Sequence, residues 1–158
     1  MSFQLYVDLD RCFGCFTCEV ACKQEHDLPV GPRWIRVIQD GPKEISKGRL
    51  QLDFYPAICK HCPEPTCVKV CPERAIVKRP DGIVLINQDH CTGCKICVES
   101  CPFGLMDYER SSGKASKCTL CVERLSLGLQ PSCVTLCPGK ALILGKELRN
   151  PLRIKQLV

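Results

Sequence analysis

Apolar residues along this chain occur in short runs that glycine and proline separate. Residues 75–78 and 83–86 are two such runs around Pro80-Asp81-Gly82, a turn signal, and they predict one strand on each side of it. Residues 34–39 predict a further strand, and residues 49–54 are the next candidate. The pattern therefore predicts small β-hairpins and short helices.

One pattern of apolar and polar residues occurs twice. Residues 7–15, Val-Asp-Leu-Asp-Arg-Cys-Phe-Gly-Cys, parallel residues 86–94, Ile-Asn-Gln-Asp-His-Cys-Thr-Gly-Cys. Each copy predicts a short strand that runs into a tight, cysteine-containing loop. We expect Gly14 and Gly93 to let the backbone of these loops approach a bound group, because a side chain there would collide with it.

The cysteines are the most informative residues of the sequence, because all sixteen fall into four quartets. The first and third quartets have the spacing C-x2-C-x2-C-x3-C, the second has two extra residues in its middle gap, and the fourth has eleven residues there. We expect short helices after the third cysteine of each quartet and after the Cys-Pro steps that end three of them. The quartets are Cys12, Cys15, Cys18 and Cys22; Cys59, Cys62, Cys67 and Cys71; Cys91, Cys94, Cys97 and Cys101; and Cys118, Cys121, Cys133 and Cys137.

This cysteine content is typical of disulfide scaffolds, structural zinc sites or iron–sulfur proteins. Disulfide scaffolds belong to secreted chains, and the residues ahead of Cys12 contain neither a signal-peptide pattern nor a twin arginine. The longest apolar runs, such as residues 141–144, are far too short to cross a bilayer. We therefore expect a cytoplasmic protein with reduced cysteines and no direct membrane insertion.

The spacing favours cubane clusters. In C-x2-C-x2-C, three thiolates bind three irons of one cluster, and the fourth cysteine of the run binds the other cluster in two-cluster ferredoxins. Such an exchange requires paired quartets: the short connection between Cys71 and Cys91 pairs the second with the third, and the first and fourth then pair across the chain ends. The prediction is four [4Fe-4S] clusters, on Cys12, Cys15, Cys18 and Cys137 (cluster 1); Cys59, Cys62, Cys67 and Cys101 (cluster 2); Cys91, Cys94, Cys97 and Cys71 (cluster 3); and Cys118, Cys121, Cys133 and Cys22 (cluster 4).

The formal net charge of +5 would alone favour a nucleic-acid or acidic-lipid partner. A cubane with four thiolates contributes roughly −2, so four of them bring the total to about −3. The basic residues are also dispersed along the chain. We expect them to offset anionic clusters, and no nucleic-acid partner is predicted.

Other interpretations explain fewer of these residues. Structural zinc uses separated C-x2-C pairs and does not need the repeated x2-x2-x3 spacing. A Rieske centre needs two histidine ligands, whereas His61 and His90 only adjoin ligand cysteines and are expected at the surface or beside a ligand. His26 belongs to no recognisable motif, and Trp34 is better interpreted as a core or interface aromatic than as an electron relay. The sequence shows no phosphate loop, Ser/His/Asp set or acid pair, so no catalytic residue is predicted and we expect no enzymatic activity from this chain alone.

The residues around the fourth quartet resemble a known family. Residues 117–121, Lys-Cys-Thr-Leu-Cys, with Arg124, Pro131 and Cys137-Pro138, are similar to the four-cluster electron-transfer subunits of dimethyl sulfoxide reductase-type molybdenum and tungsten oxidoreductases. Residues 12–23 and 33–37 resemble the same subunits, so the resemblance covers nearly the whole chain. The compact chain is also similar to the small iron–sulfur subunits of tungsten aldehyde oxidoreductase complexes.

The resemblance implies an α+β, double bacterial-ferredoxin-like fold with two pseudo-symmetric two-cluster modules. Residues 1–158 would form one compact unit, with an inner module at 55–110, a second module made of 1–30 with 111–158, and a linker at 31–54. It also implies a non-catalytic electron-transfer role between a large molybdenum- or tungsten-pterin subunit and an external carrier, for which a flavin subunit and a soluble ferredoxin are the candidates. An independent polyferredoxin and a zinc-stabilised binding module remain the alternatives.

Four lysines adjoin ligand cysteines and are candidates for tuning the cluster potentials. For each of them, an ordinary solvated side chain is the alternative. They are Lys60, Lys95, Lys117 and Lys140.

Overall fold

The computed structural model describes residues 3–146. Within them, eight strands form four two-stranded antiparallel sheets, accompanied by short helices and a 3₁₀ turn at Leu9–Arg11. In chain order the elements are β1 (Phe3–Val7), α1 (Thr17–Glu25), β2 (Ile35–Ser46), β3 (Arg49–Ile58), α2 (Thr66–Lys69), β4 (Ile76–Lys78), β5 (Val84–Ile86), α3 (Ile96–Glu99), β6 (Asp107–Glu109), β7 (Lys114–Ser116), α4 (Val122–Ser126), α5 (Ser132–Thr135) and β8 (Leu142–Lys146). Small hairpins with short helices agree with a ferredoxin-like α+β fold.

The first and last described strands lie side by side. β1 pairs with β8 from Phe3 opposite Lys146 to Val7 opposite Leu142. Beyond the last pair, the Asp8 N–H donates to the Ala141 carbonyl at 2.8 Å. Helix α1 also packs against α5. These contacts bring the first and fourth cysteine quartets to one part of the molecule.

Both strands predicted before the second quartet are confirmed, and both are longer than predicted. They form the β2–β3 hairpin, which extends to Ser46 on one side and Ile58 on the other. Gly41-Pro42, a breaker in the sequence, lies inside β2, because a shift in pairing register between Asp40 and Lys43 accommodates it. The predicted linker, residues 31–54, therefore contains all of β2 and the first part of β3.

The predicted turn at Pro80-Asp81-Gly82 is confirmed, with strands β4 and β5 on either side. The Arg79 N–H donates to the Ile83 carbonyl at 2.8 Å, and the Gly82 N–H donates to the Arg79 carbonyl at 2.9 Å. Gly82 has a positive φ of 84°, a backbone conformation that glycine adopts without strain.

The helix predictions need two corrections. The helices at the third cysteines begin one residue before the cysteine, at Thr17, Thr66, Ile96 and Ser132. The Cys-Pro steps are followed by tight turns, because the third residue after each cysteine has a positive φ and donates its N–H to the carbonyl of that cysteine. These residues are Arg74 (3.2 Å to Cys71), Gly104 (3.0 Å to Cys101) and Lys140 (3.2 Å to Cys137).

Apolar side chains gather in two clusters within the described residues. The larger cluster contains Val7, Ile35, Val37, Ile58, Val134 and Leu142, together with Cys18, Cys22, Cys118 and Cys133. The smaller one contains Ile76, Val84, Met106 and Ala115 with Cys97. Both clusters therefore include cysteine side chains. None of the helices within residues 3–146 has the length and apolar character that a membrane span requires.

Candidate metal centres

The sixteen cysteines are free thiols, and twelve of them surround three cavities. Each cavity is lined by three cysteines of one quartet and one cysteine of another. Site 1 is lined by Cys12, Cys15, Cys18 and Cys137; site 2 by Cys59, Cys62, Cys67 and Cys101; and site 3 by Cys71, Cys91, Cys94 and Cys97.

The four remaining cysteines, Cys22, Cys118, Cys121 and Cys133, are all buried and influence one another electrostatically; we call them site 4. Burial raises the pKa of Cys133 well above its usual value, and repulsion from the other three cysteines, Cys118 first, adds to the shift. Burial likewise raises the pKa of Cys22, with Cys118 and Cys121 as the next causes. Binding to iron would require these thiols to lose their protons, so cluster assembly at site 4 would release protons.

Two different backbone conformations precede the helix that carries the third cysteine of each quartet. In quartets 1 and 3, the residue before the helix, Phe16 or Lys95, has a positive φ of 59° or 64° that turns the loop into the helix. In quartets 2 and 4, where the gap between the second and third cysteines is longer, the residue directly before the helix is a proline, Pro65 or Pro131. A proline there has no N–H to leave unpaired. The different middle gaps therefore lead to the same local arrangement.

The two loop glycines are required by the packing of neighbouring protein segments. Gly14 and Gly93 have positive φ angles of 70° and 72°. A Cβ atom on Gly14 would collide with the Phe54 ring, and one on Gly93 would collide with the Gly113 carbonyl oxygen. Neighbouring protein segments therefore exclude a side chain at both positions, and close approach to a bound group stays a prediction.

Backbone N–H groups donate hydrogen bonds to several of the thiol sulfurs. The Leu105 N–H lies 3.5 Å from Cys101 Sγ, and the Ala141 N–H lies 3.3 Å from Cys137 Sγ. Both donors are four residues after their cysteine, at the end of the tight turn that follows Cys-Pro. Such donors stabilise the more negative state of an iron–sulfur cluster and raise its potential.

His26 contacts site 4, although no motif in the sequence marks this residue. Its Nε2 lies 3.2 Å from Cys121 Sγ. Its ring packs against Trp34 at 4.7 Å between centroids, and Trp34 Nε1 donates to Ser116 Oγ at 3.1 Å. Trp34 therefore packs at the edge of the larger apolar cluster, as the sequence suggested, and supports the histidine at the sulfur.

Only one of the four candidate lysines is buried. Lys117 is 3% exposed, and its Nζ donates to the Val84 carbonyl at 2.6 Å and to the Cys118 carbonyl at 2.7 Å. Burial raises the pKa of Cys67, and the Lys117 ammonium opposes that shift. By contrast, Lys95 and Lys140 are exposed, and Lys60 Nζ lies 4.0 Å from the centre of the Phe103 ring.

The two histidines that adjoin cysteines differ in burial. His90 is exposed, as expected. His61 is 5% exposed and lines site 2, so it takes the second of the two expected positions, beside candidate ligands. Burial, with a contribution from the Lys117 charge, lowers the pKa of His61 to about 3.

Thiols of sites 1 and 4, of sites 4 and 2, and of sites 2 and 3 influence each other electrostatically. Burial raises the pKa of Cys22, and Cys18 of site 1 contributes to the shift, which links sites 1 and 4. Burial raises the pKa of Cys118 to about 12, and Cys59 of site 2 is the next cause, which links sites 4 and 2. Burial raises the pKa of Cys97 to about 11, and Cys67 is among the contributing thiols, which links sites 2 and 3.

The donor sets fit iron–sulfur clusters. Thiolates are the usual ligands of [4Fe-4S] clusters, and each site supplies four of them. The cysteines of sites 1, 2 and 3 each line a cavity, and within residues 3–146 no three His, Cys, Asp or Glu side chains are placed to hold a single metal ion. A tetrahedral zinc site with Zn–S bonds of about 2.3 Å needs such convergence.

Comparison with known families agrees with this chemistry. A profile described as "4Fe-4S dicluster domain" matches residues 50–147. The chain belongs to this family. Cysteines of the second, third and fourth quartets fall within the matched residues, so sites 2 and 3 lie wholly inside the dicluster match.

Individual dicluster relatives are components of reductases. The chain is 38% identical to a chain of the anaerobic dimethyl sulfoxide reductase of Escherichia coli, over 94% of this chain and 77% of that one. It is 38% identical to the thiosulfate reductase electron transfer subunit of Salmonella typhi, over 88% and 73%, and 38% identical to a tetrathionate reductase subunit of Salmonella typhimurium, over 94% and 59%. The chain therefore spans less than two thirds of the tetrathionate reductase subunit and about three quarters of the other two.

Proposed function

We propose that this dicluster-family chain is an electron-transfer subunit that carries four [4Fe-4S] clusters, one at each of sites 1 to 4. It would connect a large molybdenum- or tungsten-pterin catalytic subunit with an external redox carrier, either a flavin subunit or a soluble ferredoxin. The proposal includes a cytoplasmic location and no catalysis by this chain alone.

The observation that carries the proposal is the crossed composition of the thiol sites. Site 2 contains Cys101 from the third quartet, and site 3 contains Cys71 from the second. The first and fourth quartets exchange Cys137 and Cys22 in the same way. This is the exchange that two-cluster ferredoxins use, and it accounts for all sixteen cysteines.

A bound [4Fe-4S] cluster supplies a reversible one-electron step. The residues of the chain hold and insulate that group. The four thiolates of each site would bind the iron. The N–H groups of Leu105 and Ala141 face the Cys101 and Cys137 sulfurs, and the buried Lys117 ammonium acts on Cys67 of site 2 and Cys118 of site 4. The N–H donors and the Lys117 ammonium favour the state with one more negative charge.

The order of the sites supports a relay. The electrostatic links run from site 1 to site 4, then to site 2 and then to site 3. Cys15 of site 1 and Cys94 of site 3 are exposed, whereas every cysteine of sites 2 and 4 is partly or fully buried. We therefore assign electron entry and exit to the sites at the two ends, with sites 4 and 2 between them.

The proposal also keeps two modules: residues 55–110, and residues 1–30 with 111–158. Most of each apolar cluster follows this division, but Ala115 of the second module belongs to the smaller cluster and Ile58 of the inner module belongs to the larger one. Residues 1–2 and 147–158 of the second module lie outside the described residues.

The names of the relatives support a catalytic partner subunit. One of them is named as an electron transfer subunit, and the others are named as parts of reductases. The test is anaerobic purification of the tagged full chain from its native cell. We expect a large subunit to co-elute with stoichiometric molybdenum or tungsten. Elution of the chain alone, with its iron and sulfide retained, would contradict the catalytic partner and favour an independent polyferredoxin.

A further inference from the structure

The hydrogen bonds around His61 determine which of its ring nitrogens carries a proton. The Val84 N–H donates to His61 Nδ1 at 2.9 Å. Because Nδ1 accepts this bond, it has no proton of its own, and a neutral ring then has its proton on Nε2. The chain thus presents a fixed N–H donor at His61 Nε2.

That donor has no visible acceptor. His61 Nε2 is buried, and within residues 3–146 it has no hydrogen-bond partner. Buried polar groups in folded proteins are nearly always paired, so an unpaired donor on a residue that is 5% exposed needs an explanation. His61 lines the same cavity as the four thiols of site 2.

Both backbone polar groups of Val84 form hydrogen bonds with side chains near site 2. Its N–H fixes the His61 ring, and its carbonyl accepts a bond from Lys117 Nζ at 2.6 Å. Val84 itself is 1% exposed and part of the smaller apolar cluster. The histidine and the ammonium are therefore positioned by one rigid peptide segment beside site 2.

We propose that His61 donates a hydrogen bond from Nε2 to the [4Fe-4S] cluster at site 2, through a bridging sulfide or a ligand thiolate. This inference rests on the proposed function, because it needs a cluster at site 2. The bond stabilises the reduced, more negative cluster and raises its reduction potential. His61 is a positioning and tuning residue and not an iron ligand.

His90 provides a matched control. It also directly precedes a cysteine, Cys91 of site 3, but it is exposed. Substitution of His90 therefore changes the same residue type in the same sequence context without removing a buried donor. His61→Leu removes the donor, and His61→Gln keeps an N–H on a flexible side chain.

The decisive measurement uses the unsubstituted full chain with ¹⁵N-labelled histidine. Pulsed electron paramagnetic resonance on reduced protein is expected to show a ¹⁵N coupling and an exchangeable proton on a cluster whose signals Cys101→Ala removes. His26, at Cys121 Sγ, is expected to give a separate coupling that His26→Leu removes. Absence of any histidine coupling on the site 2 cluster would overturn the proposal.

Redox titration of the variants gives a second readout. We expect His61→Leu to lower the midpoint potential of one cluster, His61→Gln to restore part of it, and His90→Leu to change none. An unchanged potential in His61→Leu would contradict the proposal. If His61→Leu loses iron, pulsed electron paramagnetic resonance on the labelled unsubstituted protein still tests whether His61 contacts the cluster. If the clusters are present but show no histidine coupling, only the role of His61 is contradicted. If the unsubstituted chain contains no iron, the proposed function is contradicted.

Discussion

At the scale of single residues, burial separates Lys117 from the other lysines near the cysteines. Lys117 is 3% exposed and its ammonium is held by two carbonyl oxygens, whereas Lys140 lies in solvent. Water screens an exposed charge strongly but a buried one much less. A cation close to both Cys67 and Cys118 therefore influences sites 2 and 4 together.

Lys117→Met should lower the midpoint potentials of two clusters and leave the other two near their original values, because the ammonium opposes the rise in pKa of Cys67 at site 2 and of Cys118 at site 4. The two carbonyls left unpaired should also reduce the free energy of unfolding by about 1–3 kcal/mol. Redox titration followed by electron paramagnetic resonance checks the first effect, and thermal unfolding the second. Lys140→Met is the control. Equal shifts of all four clusters, or equal effects of the two substitutions, would contradict this local role.

The candidate ligands could be named from the sequence, but their polar neighbours could not. Cysteine spacing is a local property, so all sixteen candidates could be named from it. His26 meets Cys121 only in the folded chain, 95 positions away, and no local pattern records that contact. His61 and His90 occur in similar contexts, and their different burial depends on whether β5 covers them, as Val84 covers His61.

At the scale of elements, the ligand loops depend on close backbone packing. Gly93 lies where the loop of the third quartet meets the β6–β7 turn, and a side chain would collide with the Gly113 carbonyl oxygen. Gly128 has nearly the same φ, 73° against 72°, but nothing lies within 4 Å of its missing Cβ atom. These two glycines share the backbone strain that a substitution would cause and differ only in the collision.

Gly128→Ala should cost about 1–2 kcal/mol of stability, the usual cost of a left-handed conformation for a residue with a Cβ atom. Gly93→Ala should cost more and should reduce the iron content at site 3, because backbone atoms must move to relieve the collision. Thermal unfolding and iron analysis of the two variants test this difference. Equal stability and equal iron content would show that the collision is relieved without disturbing the site.

Strands were predicted correctly where turn residues bound them, as at β4 and β5. The β2–β3 hairpin was underestimated, because Gly41-Pro42 is a local breaker and only cross-strand pairing shows that the strand continues beyond it. The prediction of helices after Cys-Pro was wrong. A positive φ at Arg74, Gly104 or Lys140 turns the chain back toward its cysteine, and two of these residues are not glycine.

At the scale of the whole molecule, cysteines distant in sequence share sites. Site 2 combines Cys101 with three cysteines of the second quartet, and site 3 combines Cys71 with three of the third. The β1–β8 pairing brings the chain ends together, so that Cys137 meets the first quartet at site 1. Each cluster would therefore join two segments of the fold.

Two reciprocal substitutions test the crossed assignment. Cys101→Ala should damage the cluster at site 2 and spare site 3, although Cys101 belongs to the third quartet in sequence. Cys71→Ala should have the opposite effect. Redox-poised electron paramagnetic resonance resolves which cluster is lost or converted. If each variant loses the cluster of its own quartet, the crossed assignment is wrong.

The pairing of quartets was predicted from ligand chemistry, and it stays a prediction until the clusters are assigned. Which sites are neighbours could not be predicted, because it depends on how Cys59 approaches Cys118 and how Cys67 approaches Cys97 in the folded chain. Spacing along the sequence determines which thiols can share a cluster, but it carries no information on which clusters are neighbours.

The most direct test of the central claim is anaerobic iron and sulfide analysis, with a visible spectrum, of the full chain purified from its native cell. Four cubanes predict about sixteen irons and about sixteen sulfides per chain, with a broad brown absorption that dithionite bleaches. Zinc without iron or sulfide, in a colourless protein, would contradict the account.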